Sequence, residues 1–266
     1  MMKKYDHLFA FGCSFTWGGG LNRIEYHRAL NNDPRLLIND SDLESYRNKN
    51  AYPARLAELL NCDFTNKAQS GLSNESIFIN AYNTVVKDLN PYKNNLVIIQ
   101  TTLFHRRRLH YRNELFNVNM VGAAPNLDAW LQTDDIKQRF PLDVIKYFYD
   151  YITKFYDEDE EFKRVIMEIN LLNAWLIEKK IDPIFLIYDY TYNQDNYNLI
   201  QKSKNVISYV NHPYDHSDYS LCLFINNLKE AITHMGIGLN DAHFSPAGHQ
   251  AIADKIYEFL AKNSIN

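Results

Sequence analysis

Two apolar runs, LVIIQ at 96–100 and IFLIY at 184–188, are continuous rather than alternating. A strand with apolar side chains on both faces must be covered on both faces. That is the situation of a parallel sheet packed between helices. Three more short runs read as strands: 7–11 (HLFAF), 63–67 (DFTNK) and 206–210 (VISYV). Helical patterns lie between them. Residues 52–61 carry Leu56, Leu59 and Leu60, with Pro53 suited to a first turn. Residues 73–89 open on Ser73 or Asn74 as N-cap and repeat Ile77, Ala81, Val85 and Leu89. Residues 160–180 repeat Phe162, Val165, Ile169, Leu172 and Leu176, and helices over 220–235 and 247–262 close the chain. Strands alternating with helices predict an α/β doubly wound sheet.

A chain of 266 residues with 46% hydrophobic side chains supplies one sizeable core. Three stretches, 17–50, 103–142 and 189–219, are too long for a minimal fold of this kind. Each follows an expected strand, so they read as insertions at the carboxyl edge of a single domain spanning 1–266. The net charge of −4 speaks against a general nucleic-acid binder. Cys13, Cys62 and Cys222 lie far apart with no C-x-x-C pair, which fits a reducing compartment. No run approaches the roughly 18 apolar residues of a membrane span, and the apolar part of MMKKYDHLFAFG is too short for a signal peptide. The expectation is a soluble cytoplasmic protein with no membrane partner.

The first run ends abruptly in Gly12-Cys13-Ser14-Phe15-Thr16. Gly12 permits a tight turn, and a hydroxyl after it would sit at the mouth of the sheet, where a nucleophile belongs. A capping serine is the plainer reading. Cys13 is a second nucleophile, because thiolates are intrinsically stronger. Near the other end, residues 240–249 read NDAHFSPAGH. His243 precedes Ser245 and Pro246, an N-cap and first helical residue, and Asp241 and Asn240 stand close before it. A carboxylate beside such a histidine can orient the ring and stabilise the imidazolium. His249 lies inside the helix and reads as a packing or hydrogen-bonding residue.

With these blocks in view, the chain resembles the SGNH (GDSL-type) hydrolases. The family's serine follows the first strand, matching Ser14. Its oxyanion-hole glycine follows an Asn-x-Ala/Gly-x-Ser pattern, matching Asn66-Lys67-Ala68-Gln69-Ser70-Gly71. Its histidine precedes the last helix, matching His243 with Gly248-His249 behind it. The resemblance implies a flavodoxin-like three-layer α/β/α sandwich with a central five-stranded parallel sheet. It implies a Ser14-His243-Asp241 triad and an oxyanion hole from Ser14, Gly71 and a third donor, with no cofactor and no metal. The family's third block carries an asparagine; here the third strand runs into Gln100-Thr101-Thr102. Thr102 is the expected substitute by register, with Asn74 a second candidate and a substrate-binding residue. The family's Asp falls at Asn240, so either Asp241 serves from a shorter spacing or the enzyme works as a dyad. The implied activity is ester hydrolysis, with deacylation of a carbohydrate or other small ester preferred. A non-catalytic glycan-binding or structural module is the alternative. The resemblance, with its polar insertions, suits a phage-encoded or bacterial glycan-modifying enzyme.

Three other features invite function. The cluster 105–112 (HRRRLHYR) is either a solvated face paired with acids or an anion clamp, with Arg106 the substrate-binding candidate. His212, Asp215, His216 and Asp218 hold metal-type ligands without a recognised signature. The tyrosine-rich stretch 188–197 could stack on sugars or simply form a surface loop. The acidic run 157–161 suits the start of a helix.

Overall fold

The computed structural model describes residues 2–19, 21, 40–90, 93–102, 104, 106–111, 114–119, 141–187, 205–208 and 246–262. The elements in order are β1 (His7–Phe11), α1 (Ser14–Trp17), α2 (Asp40–Asn50), α3 (Tyr52–Leu60), β2 (Asp63–Asn66) and α4 (Asn74–Asp88). They continue with β3 (Asn95–Gln100), β4 (Arg106–Tyr111), β5 (Glu114–Asn119), α5 (Leu142–Phe155), α6 (Glu158–Glu178), β6 (Asp182–Ile187), β7 (Val206–Ser208) and α7 (Pro246–Lys262).

The sheet runs β2-β1-β3-β6-β7, and every pairing in it is parallel. The fold is therefore α/β, as the continuous runs required. β3 and β6 are buried along their whole length, whereas β2 is an exposed edge. Leu8, Phe11, Leu96, Ile98, Ile99 and Phe185 are fully buried in the sheet. Each such side chain contributes on the order of 1.5–3 kcal/mol by leaving water.

Local chemistry sets the helix ends. The Ser73 hydroxyl accepts from Ser76 N–H and opens α4, and the Asp157 carboxylate accepts from Glu160 N–H and opens α6. Thus 157–161 is a helix start. Pro53 sits in the first turn of α3, and Asn61 ends that helix in the left-handed conformation.

Two stretches expected as loops contain regular structure. α2 lies in 17–50, and the antiparallel hairpin β4-β5 lies in 103–142. α2 reads DSDLESYRNKN and has no apolar stripe, so periodicity gives no sign of it. β4 begins with three arginines, and its ladder depends on β5 rather than on an alternating pattern of its own. The expected helix over 220–235 and the stretch 188–197 lie outside the described residues.

Candidate active site

The chain leaves β1 toward β2 on one side and later returns to lay β3 on the other side of β1. The point between β1 and β3 is a topological switch point, and the carboxyl ends of the strands there bound the crevice in which such sheets take ligands. Three loops meet at this edge: the turn after β1, the segment after β2 and the segment after β3.

The first loop closes on β3. A Cβ on Gly12 would lie 2.1 Å from Thr16 Oγ1 and 3.2 Å from Gln100 Cβ, so the turn demands glycine for close approach. Cys13 takes the N-cap position, fully buried, and Ser14 is the first residue of α1 at 6% exposure. Among the described residues the Ser14 hydroxyl has no hydrogen-bond partner. Below it, Thr16 Oγ1 donates to Gln100 Oε1 at 2.6 Å. Its one proton being spent, it must accept from Tyr52 OH at 3.2 Å. Burial pushes the Tyr52 phenol up from its ordinary value, which keeps it a donor. Tyr52 N–H in turn donates to His249 Nδ1 at 3.1 Å, so the ring proton of His249 sits on Nε2. The histidine is fully buried.

The second loop is laced to the first. Lys67 N–H donates to Ala10 O at 2.8 Å, and Gln69 N–H to Gly12 O at 3.2 Å. Asn66 Nδ2 donates to Thr16 O at 2.9 Å, while its Oδ1 accepts from Ala68 N–H at 3.1 Å. Gly71 adopts φ +82°, and no atom lies within 4 Å of where its Cβ would be. Glycine is needed there for conformation, not for crowding.

The third loop splits its two threonines. Thr101 donates its N–H and its hydroxyl to Leu186 O, at 2.8 and 3.3 Å. Thr102 instead turns to α4: its N–H donates to Asn74 Oδ1 at 2.8 Å and its carbonyl accepts from Asn74 Nδ2 at 3.2 Å. Its hydroxyl oxygen accepts from Arg106 Nη1 at 3.0 Å. A guanidinium cannot accept, so the Thr102 proton is left to donate elsewhere.

Within the basic cluster, Arg107 pairs with Glu75 at 3.1 Å and Glu161 at 2.6 Å. Arg164 pairs with Glu75, Glu161 and Glu168. The Tyr52–Thr16–Gln100 chain and the Arg106–Thr102 contact were not foreseen, since each joins residues distant in sequence. His243, Asp241, Asn240 and Ser245 lie outside the described residues, as do His212, Asp215, His216 and Asp218. Among the described residues no group of three or more His, Cys, Asp or Glu could hold a metal ion. No described helix is long and apolar enough to cross a membrane.

A cavity of about 710 Å³ opens at the opposite, amino edge of the sheet, against Tyr5, Asp6, Cys62 and Asp63. None of Ser14, Gly71 or Thr102 lines it. Burial, reinforced by Asp63 and Asp6, pushes the Cys62 thiol there up to about 11. It is therefore a poor nucleophile at neutral pH.

No family model matches the chain, and no curated protein matches it. Several solved structures are similar to it. One is a carbohydrate esterase whose active site displays divergent catalytic and non-catalytic binding functions (12% identity, 98% of this chain and 69% of that chain, TM-score 0.46). A second is a catalytic mutant of an acetylxylan esterase from Geobacillus stearothermophilus (14% identity, 100% and 98%, TM-score 0.44). A third is a psychrotrophic esterase from Pseudoalteromonas sp. (9% identity, 98% and 100%, TM-score 0.44). At these TM-scores, what the chain does has to be read from its own residues.

Proposed function

We propose that the chain is a serine esterase of the SGNH type, with Ser14 as nucleophile and His243 as base. The observation that carries this is the placement of Ser14 and Thr102 on either side of the switch point, with the 66–71 segment hydrogen-bonded along the Ser14 turn. The sheet order corresponds to the flavodoxin-like arrangement. Right-handed crossovers then put α3 and α4 on opposite faces, which makes a three-layer sandwich.

In the proposed reaction His243 takes the Ser14 proton as Oγ attacks the ester carbonyl. The backbone N–H groups of Ser14 and Gly71 and the Thr102 hydroxyl donate to the oxyanion. His243, oriented by Asp241, returns the proton to the departing alcohol. Water then repeats the sequence on the acyl-enzyme, releasing the acid and restoring Ser14. Both hydrogen-bonding ends of Asn74 are engaged by the Thr102 backbone, so we assign it to positioning Thr102. Acylated carbohydrates are the preferred substrates, as the family resemblance implies.

Ser14 is preferred to Cys13 because the thiol is fully buried at a helix cap. A fluorophosphonate probe tests this. Wild type and Cys13→Ala are expected to label and to hydrolyse 4-nitrophenyl acetate, and Ser14→Ala to do neither. Absence of labelling and of turnover in wild type would leave the non-catalytic glycan-binding module as the reading.

A further inference from the structure

We infer that the site takes an ester bearing an anionic group, a carboxylate, phosphate or sulfate, held by Arg106 and Arg108. This rests on the esterase reading above and adds a substrate class to it.

Successive side chains of a strand point to opposite faces. Arg107 therefore faces away from Arg106 and Arg108, and it is Arg107 that the carboxylates of Glu75 and Glu161 neutralise. Glu168, the third carboxylate of that group, is held by Arg164. Among the described residues the face carrying Arg106 and Arg108 has no such compensation. There Arg106 hydrogen-bonds to an uncharged group, the Thr102 hydroxyl. Arg108 is partly buried, and its Nε is buried without a partner. Among the described residues no carboxylate pairs with either. The β4-β5 register sets Asn119 opposite Arg106 and Asn117 opposite Arg108, both neutral residues.

A buried guanidinium nitrogen without an acceptor is costly. An oxyanion would complete it with charge-assisted, two-pronged hydrogen bonds, for which guanidinium geometry is suited. Two residues along a strand separate the arginines by about 7 Å, a span that one anionic group can bridge. Because Arg106 is fixed on Thr102, the bound anion lies next to the proposed oxyanion donor, within a small substrate's length of the reacting carbonyl.

The test compares ester pairs that differ in charge. 4-Acetoxybenzoate against its methyl ester places the carboxylate in the leaving alcohol. Mono-4-nitrophenyl succinate against 4-nitrophenyl butyrate places it in the acyl part, and 4-acetoxyphenyl phosphate supplies a phosphate arm. For at least one arm the anionic ester is expected to be preferred in kcat/KM by about tenfold or more, and raising the salt should erode that preference. In Arg108→Gln the preference should fall by about tenfold, and Arg108→Lys should restore part of it. A second readout needs no turnover: benzoate, phosphate or sulfate should raise the Tm of wild type more than that of Arg108→Gln. Anion-dependent stabilisation lost in Arg108→Gln, with no ester hydrolysed and Ser14 unlabelled, upholds the anion site and sinks the esterase reading. Ester turnover with no preference for charge, or a preference that Arg108→Gln leaves intact, overturns the inference while the esterase reading stands.

Discussion

Asn74 shows how much one amide can fix. It gives an acceptor to Thr102 N–H and a donor to Thr102 O, and all of these groups are buried. Truncation leaves two backbone groups without partners, at roughly 1–3 kcal/mol each. Asn74→Ala is therefore expected to lower stability by about 2 kcal/mol or more in urea melts, and to lower kcat by misplacing the Thr102 hydroxyl. Asn74→Asp keeps only the acceptor and sets a carboxylate against the Thr102 carbonyl, so it should rescue neither property fully. Unaltered kcat in a destabilised Asn74→Ala would remove Thr102 from the oxyanion site. The tight turn at Gly12 was legible in the sequence, because small residues directly after a strand are a local pattern. The Arg106–Thr102 contact was not. It depends on where the hairpin lands, and β4 carries no alternation to announce even a strand.

At the scale of elements, α4, β4 and α6 are joined by Arg107 and Arg164 against three glutamates. Arg107 reaches from β4 to carboxylates of both α4 and α6 and so ties the hairpin to those helices. The group is imperfectly balanced. Burial raises the Glu168 carboxyl above its ordinary 4.5, Arg164 notwithstanding, and Glu75 and Glu161 add to the rise. The folded state thus holds this proton more tightly than the unfolded chain does. Its contribution to stability is full below about pH 4.5 and is lost as pH rises through the folded value. Glu168→Gln cannot ionise, so its Tm relative to wild type should climb as the pH is taken upward from about 4. Thermal melts across that range check this, and a difference that stays flat would show that Arg164 compensates the buried charge in full. The helices α4 and α6 were legible because their apolar repeats face the sheet. α2, polar along its length, offered no such repeat.

Across the whole molecule, the two ends of the chain converge on one turn. α7 packs on α3, and His249 accepts from Tyr52 N–H; the Tyr52 phenol donates to Thr16, and Thr16 to Gln100 at the end of β3. The histidine read as a packing or hydrogen-bonding residue is thus the link between the last helix and the turn that carries Ser14. The strands of the parallel sheet and most helices could be read one at a time. No single run carries their order in the sheet, which only the family resemblance implied, and it is that order which makes the switch point. His249→Ala should orphan the Tyr52 N–H and open a void beside it, at about 2–4 kcal/mol. The Tm should fall accordingly. If the link also positions the nucleophile, fluorophosphonate labelling of Ser14 should slow well below the melting temperature, and His249→Gln, which can offer an acceptor to Tyr52 N–H, should recover part of the rate. A variant with a lowered Tm but an unchanged labelling rate would confine His249 to holding α7 in place.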